Sequence, residues 1–237
     1  MEKQTTSAGS RVGWRWIVVL VFGAAWLSIG CSPQTLSMFL MPFTDNNIPP
    51  EYKLFADSKE ITLAVLCNFG KLEARTDAHG SEVELADLTM KAIKKRCEEN
   101  KHRIKFVPDA QVRSQIAKLR QQTGGEPAAV ELGKSLKADY VLDVTIESFG
   151  LYEKSTFPPM YRGRANLMIG LYKTESKDGL HKVFDKEYAR VHPRDTSPLD
   201  ASSMSVTMYR NLFLMAIAND LSKTFVSYPP EERRKLE

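Results

Sequence analysis

Residues 61–69 read ITLAVLCNF, an almost unbroken apolar run that decides the fold class. A strand that is apolar on nearly every residue is buried on both faces, as the central strands of parallel sheets are. A capping-box pattern follows at Ser81 and Glu84 and begins a predicted helix that ends near Asn100. A buried strand followed directly by a helix indicates an α/β domain.

The rest of the domain continues this alternation. A short strand is predicted at 103–107, and helices are predicted to begin near Pro108 and Pro127. Further strands follow at 139–152, 162–172 and 182–191.

A turn of the hairpin type at 176–179 joins the last two strands, so we expect them to pair antiparallel. A final amphipathic helix is predicted from 203 to 227. Its predicted buried stripe consists of Met208, Leu212, Met215, Leu221 and Phe225. The predicted order is β-α-β-α-α-β-β-β-α, a single α/β domain with a mixed sheet packed by helices.

The N-terminal 30 residues have the features of an export signal. Lys3, Arg11 and Arg15 precede the apolar run 16–30, which is the charged region followed by an apolar region that secretory signals share. The predicted organisation is a signal peptide at 1–30, a tether and lead-in at 31–60, the domain at 61–228 and a polar tail at 229–237.

The end of this run, Leu27-Ser28-Ile29-Gly30-Cys31, resembles the lipobox of bacterial lipoproteins. The resemblance implies cleavage between Gly30 and Cys31 and acylation, including palmitate, at the Cys31 thiol. One position departs from the pattern, because Ser28 stands where the lipobox usually has Leu. Two alternatives stay open: an uncleaved membrane helix, although 15 apolar residues fall short of the ~20 that span a bilayer, and a cleaved soluble protein.

Charge gives no indication of a nucleic-acid partner. The chain has 33 Lys and Arg against 29 Asp and Glu, a formal net charge of +4. The first 30 residues hold three basic and one acidic side chain, so the remainder carries only +2. Such a small excess, spread along the chain, is not a footprint for nucleic acid.

A family resemblance is carried by two stretches and by the order of the elements. The strand start Ile61–Leu66 and the stretch 132–142, LGKSLKADYVL, are similar to envelope lipoproteins of the TolB N-terminal-like group. That group resembles the penicillin-binding-protein activators and the periplasmic domains of curli-secretion lipoproteins. The resemblance implies a protein that acts by binding and brings no catalytic residues with it.

The sequence contains no pattern typical of a reactive site. The four histidines are scattered, and neither a His-Glu-x-x-His motif nor a paired cysteine spacing is present. We therefore predict no catalytic residues, no metal, no cofactor and no small-molecule ligand. Cys67 and Cys97 both stand in apolar contexts, and they could form a disulfide or remain two buried free thiols.

The segment 157–164, FPPMYRGR, is the best candidate for partner binding. Phe157, Tyr161, Arg162 and Arg164 combine aromatic and guanidinium groups, which are enriched at protein interfaces. The alternative is an ordinary solvated start of a strand.

The predicted protein is exported and held by its lipid at a bacterial membrane, facing the periplasm, with the outer membrane favoured over the inner. Its predicted role is a non-enzymatic binding or adaptor module for a protein of the cell envelope. The alternative is a structural subunit of an envelope or export assembly, and an enzyme is the third class.

Overall fold

The computed structural model describes residues 47–55, 59–70, 78–123, 128–176, 178–194 and 197–234. The predicted signal peptide, Gly30, Cys31 and most of the predicted tether lie outside these ranges. The strands are β1 Ile61–Phe69, β2 Ile104–Phe106, β3 Tyr140–Tyr152, β4 Met160–Lys173, β5 Lys182–His192 and β6 Leu199–Asp200.

The helices are α1 Ser81–Glu99, α2 Asp109–Thr123, α3 Ala129–Leu136, α4 Val206–Phe225 and α5 Glu231–Arg234. The order of elements confirms the predicted α/β domain with a mixed sheet. Two short elements, β6 and α5, were not predicted.

The sheet has the strand order β2-β1-β3-β4-β5, and β6 pairs with the start of β4. β1 lies parallel to both β2 and β3. The pair β4–β5 is antiparallel, as the predicted hairpin requires, and β3–β4 is antiparallel as well. The sheet therefore has a parallel half around β1 and an antiparallel half around β4.

Helices cover both faces of β1, which explains its continuous apolar sequence. Leu63, Val65 and Cys67 join the larger core, which α1 and α4 close. Ala64 points to the opposite face and joins a smaller core with α2 and α3. Alternate side chains of a strand point to opposite faces, so a strand covered on both sides has no polar face.

The buried face of α4 differs from the predicted one. Met208, Leu212 and Met215 are exposed, whereas only Leu221 and Phe225 of the predicted stripe are buried. The core face consists of Tyr209, Phe213, Leu214, Ile217, Ala218, Leu221 and Phe225. The helix is apolar over most of its circumference, and the arc that holds the aromatic rings lies against the sheet.

Gly163 on β4 makes room for one of these rings. A Cβ atom built at Gly163 would stand 2.7 Å from the ring carbons of Phe213. No real Cβ contact is that short, so any other residue here would displace the helix or the ring. This close approach fixes the N-terminal half of α4 against β4.

The start of α1 also differs in detail from the capping-box prediction. Its N-cap is Gly80, with a φ of 80°, and no side chain caps the helix. Ser81 is the first helical residue, one position too late for its hydroxyl to act as the cap. The helix itself begins and ends within one residue of the predicted bounds.

The segment 47–55, predicted as part of the lead-in, packs on the domain. Ile48 and Tyr228 exchange two backbone hydrogen bonds of 2.8 and 3.2 Å. The Asn47 amide donates to the side-chain oxygen of Asn100 at 3.2 Å, and Leu54 is buried in the larger core. The described chain therefore begins beside the C-terminal ends of α1 and α4.

Candidate functional site

The residues predicted to bind a partner lie in the loop before β4 and in the first residues of β4, in three different environments. Phe157 is 99% exposed at the loop, whereas Tyr161 is 3% exposed. The Tyr161 ring stacks on Tyr209 with 4.5 Å between centroids, and its hydroxyl donates to the Met204 carbonyl at 3.2 Å. Phe157 is therefore free to contact a partner, while Tyr161 belongs to the core that holds the loop.

Arg162 and Arg164 lie on the opposite face of β4 from Tyr161 and share one carboxylate. Arg162 Nη1 lies 3.2 Å from Glu153 Oε2, and Arg164 Nη2 lies 2.6 Å from Glu153 Oε1. Desolvation pushes the pKa of Glu153 up, but the Lys154 N–H and both guanidinium groups outweigh it and hold that pKa below its usual value. The two arginines are thus partly neutralised within the chain, and Arg164 remains the more exposed of the two.

Three exposed apolar side chains of α4 form the second part of the site, which we call the apolar stripe: Met208, Leu212 and Met215. Residues four and then three apart lie on one helix face, one above the other. The core face of α4 lies on the opposite side, so the stripe points away from the sheet. Sequence analysis identified these residues as apolar but assigned them to the interior.

Phe157 and the stripe belong to the same end of the domain. The strand pair β4–β6 and a hydrogen bond from the Ala201 N–H to the Pro159 carbonyl join the loop to the segment before α4. Tyr209, in the first turns of α4, donates its hydroxyl to the His192 carbonyl and accepts from the Gly163 N–H at 2.6 Å. These contacts fix the N-terminal end of α4 against the loop that carries Phe157.

The two described cysteines have no reactive character. Both Cys67 and Cys97 are free, buried thiols in the structure, which is one of the two alternatives that the sequence left open. Burial raises the pKa of Cys97 to about 12 and raises that of Cys67 as well. A thiol held in its neutral form is a poor nucleophile.

The histidines stand in separate environments in the described part of the chain. His102 stacks on Phe55 at 4.5 Å, the His181 ring bonds to the Lys173 carbonyl at 2.9 Å, and His192 stacks on Phe213. Within the described ranges no group of three or more His, Cys, Asp or Glu side chains is placed to hold a metal ion. The same residues include no helix with the length and apolar character needed to cross a membrane.

No family model matches the sequence, and no curated protein matches it. Among solved structures, a hypothetical protein from Chlamydia trachomatis is similar to it, with 10% identity, a TM-score of 0.42, and coverage of 70% of this chain and 98% of that one. A lipoprotein from Neisseria meningitidis has 13% identity and a TM-score of 0.36, over 68% and 98% of the two chains.

The C-terminal domain of LpoB from Salmonella enterica has 15% identity and a TM-score of 0.30, over 55% and 82% of the two chains. The Neisseria meningitidis neighbour is a lipoprotein. At such low identities and TM-scores, the similarity assigns neither an activity nor a partner.

Proposed function

We propose that this protein is a lipid-anchored, non-enzymatic adaptor of the bacterial envelope, which presents the apolar stripe and Phe157 to a partner protein. One observation supports the proposal most directly: the exposed apolar side chains lie at the end of α4 opposite to the point where the N-terminal segment joins the domain.

The described chain begins at Asn47, beside the C-terminal ends of α1 and α4. α4 has 20 residues, and at 1.5 Å per residue it is about 30 Å long. A lipid on Cys31 would precede Asn47 by 16 residues, which reach at most roughly 55 Å when fully extended. An anchored domain could therefore present its far end to a protein beyond the membrane surface.

The chemistry of this end fits a protein partner. Methionine side chains are flexible and polarisable, so they adapt to irregular apolar surfaces, and both methionine and aromatic residues are enriched at interfaces. The aromatic rings of the larger core, among them Tyr161, Tyr209 and Phe213, are buried between α4 and the sheet. The core therefore forms without the apolar stripe. An exposed apolar surface with a charged residue beside it, here Arg210 on the same helix, is typical of an interaction site.

The test is site-specific photo-cross-linking in intact envelopes of the native host. A photoreactive amino acid replaces Leu212 in the stripe, and a matched variant carries it at Lys118, an exposed position of α2 on the opposite face of the sheet. We expect one discrete cross-linked protein from position 212 and none from position 118. The double substitution Met208→Ser with Met215→Ser should lower its yield, and Cys31→Ala should lower it by removing the anchor.

Equal products from both positions, or none from either, would contradict the adaptor proposal. A product with the mass of two copies of this chain would instead support the structural-subunit alternative. Light scattering on the purified full-length protein would then show a ring or filament rather than a monomer.

A further inference from the structure

A second feature lies at the opposite end of α4 from the apolar stripe. A cleft of about 360 Å³ opens between the C-terminal halves of α1 and α4, beside α5. Its basic lining residues are Lys95, Arg96, Arg190 and Lys223. Its acidic lining residues are Glu99, Asp220 and Glu232. The cleft therefore has one basic side chain more than it has acidic ones.

Arg96 is the deepest of these charges. Its side chain is 5% exposed, and its Nε donates to Ser222 Oγ at 2.6 Å. Its Nη2 donates to Glu232 Oε2 at 2.5 Å, with Nη1 and Oε1 3.5 Å apart. A buried guanidinium group is costly unless an anion faces it, and here the carboxylate of Glu232 supplies that anion.

Glu232 is shared between two cations. Lys223 Nζ lies 3.5 Å from Glu232 Oε2 and 4.0 Å from Asp220 Oδ1, and the lysine side chain is 10% exposed. Burial lowers the pKa of Lys223, and repulsion from Arg96 acts in the same direction, against the attraction of the two carboxylates. A single carboxylate thus serves both Arg96 and Lys223.

Asp220 is divided between neighbours: its Oδ1 accepts no hydrogen bond in the described residues and lies 4.0 Å from Lys223 Nζ, while its Oδ2 is engaged elsewhere. Its Oδ2 receives Arg190 Nη1 at 2.9 Å and the Tyr188 hydroxyl at 2.6 Å. Arg190 Nε is buried without a hydrogen-bond acceptor among the described residues, and Lys95 forms no ion pair in the described ranges. Lys95 and Glu99 both lie at the exposed rim. The interior therefore has three basic side chains, Arg96, Arg190 and Lys223, against the carboxylates of Asp220 and Glu232.

The position of Glu232 allows another anion to take the place of its carboxylate beside Arg96. It belongs to the four-residue helix α5 near the end of the chain, and its side chain is 36% exposed. A phosphate group has the charge and the oxygen geometry that a guanidinium fork and a neighbouring ammonium group recognise. Arg96 supplies the guanidinium fork and Lys223 the ammonium group, and the cleft beside them has open volume.

We propose that this cleft binds a phosphate group through Arg96, Lys223 and Lys95, and that Glu232 is an internal carboxylate that competes with it. The phosphate has two conceivable sources, a free small molecule or a lipid headgroup. The second is available because the cleft lies at the end of the domain where the N-terminal segment joins. Sequence analysis predicted no small-molecule ligand, because these side chains come together only in the fold.

The first test is titration calorimetry of the full-length protein in neutral detergent with inorganic phosphate at constant ionic strength. Glu232→Gln removes the competing charge and should tighten phosphate binding about tenfold, which is roughly 1.4 kcal/mol. Glu231→Gln is the matched control, since it removes the same charge from the neighbouring position, which does not line the cleft. Adding Lys223→Met to Glu232→Gln should abolish the gain, while Arg96 stays in place to keep the core intact.

Mixed micelles that contain phosphatidic acid identify the source, with phosphatidylcholine micelles as the comparison. Tighter binding of phosphatidic acid than of inorganic phosphate would assign the site to a lipid headgroup, and binding of inorganic phosphate alone would assign it to a free ligand. The proposal is overturned if Glu232→Gln binds neither probe more tightly than the native chain, or if Glu231→Gln gives the same gain.

Discussion

The two ends of α4 differ in chemistry, although one core face runs between them. At the N-terminal end, the rings of Tyr161 and Tyr209 stack in the core, while the apolar stripe on the other side of α4 is exposed. At the C-terminal end, Arg96, Lys223 and Glu232 form a charged cluster around an open cleft. α4 contributes residues to both ends. The two ends differ because β4 and its preceding loop pack at one of them, whereas α1 and α5 pack at the other.

The ring stack of one end and the ion pairs of the other join residues over different sequence distances. The ring stack and hydrogen bonds of the apolar end join β4, β6 and the start of α4, which lie within about 50 residues of one another, as with Tyr161 and Met204 at a separation of 43. Arg210 adds long-range contacts at the same half of α4, with the His79 carbonyl across 131 residues and with the Glu84 carboxylate. The charged end joins Arg96 to Ser222 and Glu232 across separations of 126 and 136 residues. The charged end therefore depends on closure of the whole domain.

The largest expected change in stability is for a substitution on the core face of α4, compared with the same substitution in the apolar stripe. Leu214 is 0% exposed and Leu212 is 41% exposed, so the same substitution tests both faces two residues apart. Leu214→Ala should lower the free energy of unfolding by about 2–5 kcal/mol, because it leaves a cavity in the core. Leu212→Ala should change it by less than about 0.5 kcal/mol. Urea denaturation followed by circular dichroism measures both, and equal losses would show that the stripe is packed rather than exposed.

Most of the fold could be predicted because its signals are local. The apolar run of β1, the alternation in β3 and the turn before β5 each lie within a few residues, and all three gave the observed elements. The missed elements are the shortest ones: β6 has two residues and α5 has four, too few to show a period. Short elements depend on tertiary contacts rather than on their own pattern.

The faces of elements were harder to predict than their existence. In α4 the residues 212–215 read LFLM, so two arcs of the helix are apolar and periodicity alone does not choose between them. For Tyr161 a usable signal was present, because strand alternation places it on the same face as Ala165, Leu167 and Ile169. That alternation indicates that Tyr161 lies in the core, whereas the position of Tyr161 next to Arg162 suggested a binding loop.

The next largest change in stability is expected from removing the hydrogen bonds of the Tyr209 hydroxyl at the apolar end. The Tyr209 hydroxyl donates to the His192 carbonyl and accepts from the buried Gly163 N–H. Tyr209→Phe keeps the ring stack but leaves both backbone groups without this partner, which should cost about 1–3 kcal/mol. Tyr228→Phe at the charged end is the control, since no described residue bonds to its hydroxyl, and its unfolding free energy should stay near the native value. A similar loss in both variants would mean that the ring, and not the hydroxyl, was disturbed.

A smaller effect at the apolar end depends on pH. Burial lowers the pKa of His192 below its usual value of about 6.5, and the positive charge of Arg190 acts in the same direction. The unfolded chain then binds the proton more readily, so stability falls as the pH drops below about 6.5. His192→Phe retains a ring against Phe213 and should remove this part of the loss between pH 8 and pH 5.5. Thermal unfolding at the two pH values measures it, and an unchanged difference would exclude His192 as the source.

The smallest expected change in stability comes from Glu232 at the charged end, and it is observed at a lower pH than that of His192. Burial tends to raise the pKa of Glu232, but the hydrogen bond and charge of Arg96 and the charge of Lys223 outweigh it, so the pKa lies below its usual value of about 4.5. A depressed folded pKa stabilises the domain above the unfolded pKa, and this contribution is lost as the pH falls through the folded value. Since Glu232 is partly exposed, we expect less than about 1 kcal/mol. Glu232→Gln should flatten the acid limb of the stability curve below about pH 4.5, whereas Glu231→Gln should leave it as in the native chain. Because the loss from His192 begins near pH 6.5 and the loss from Glu232 begins near pH 4.5, the two onsets can be distinguished in a single titration.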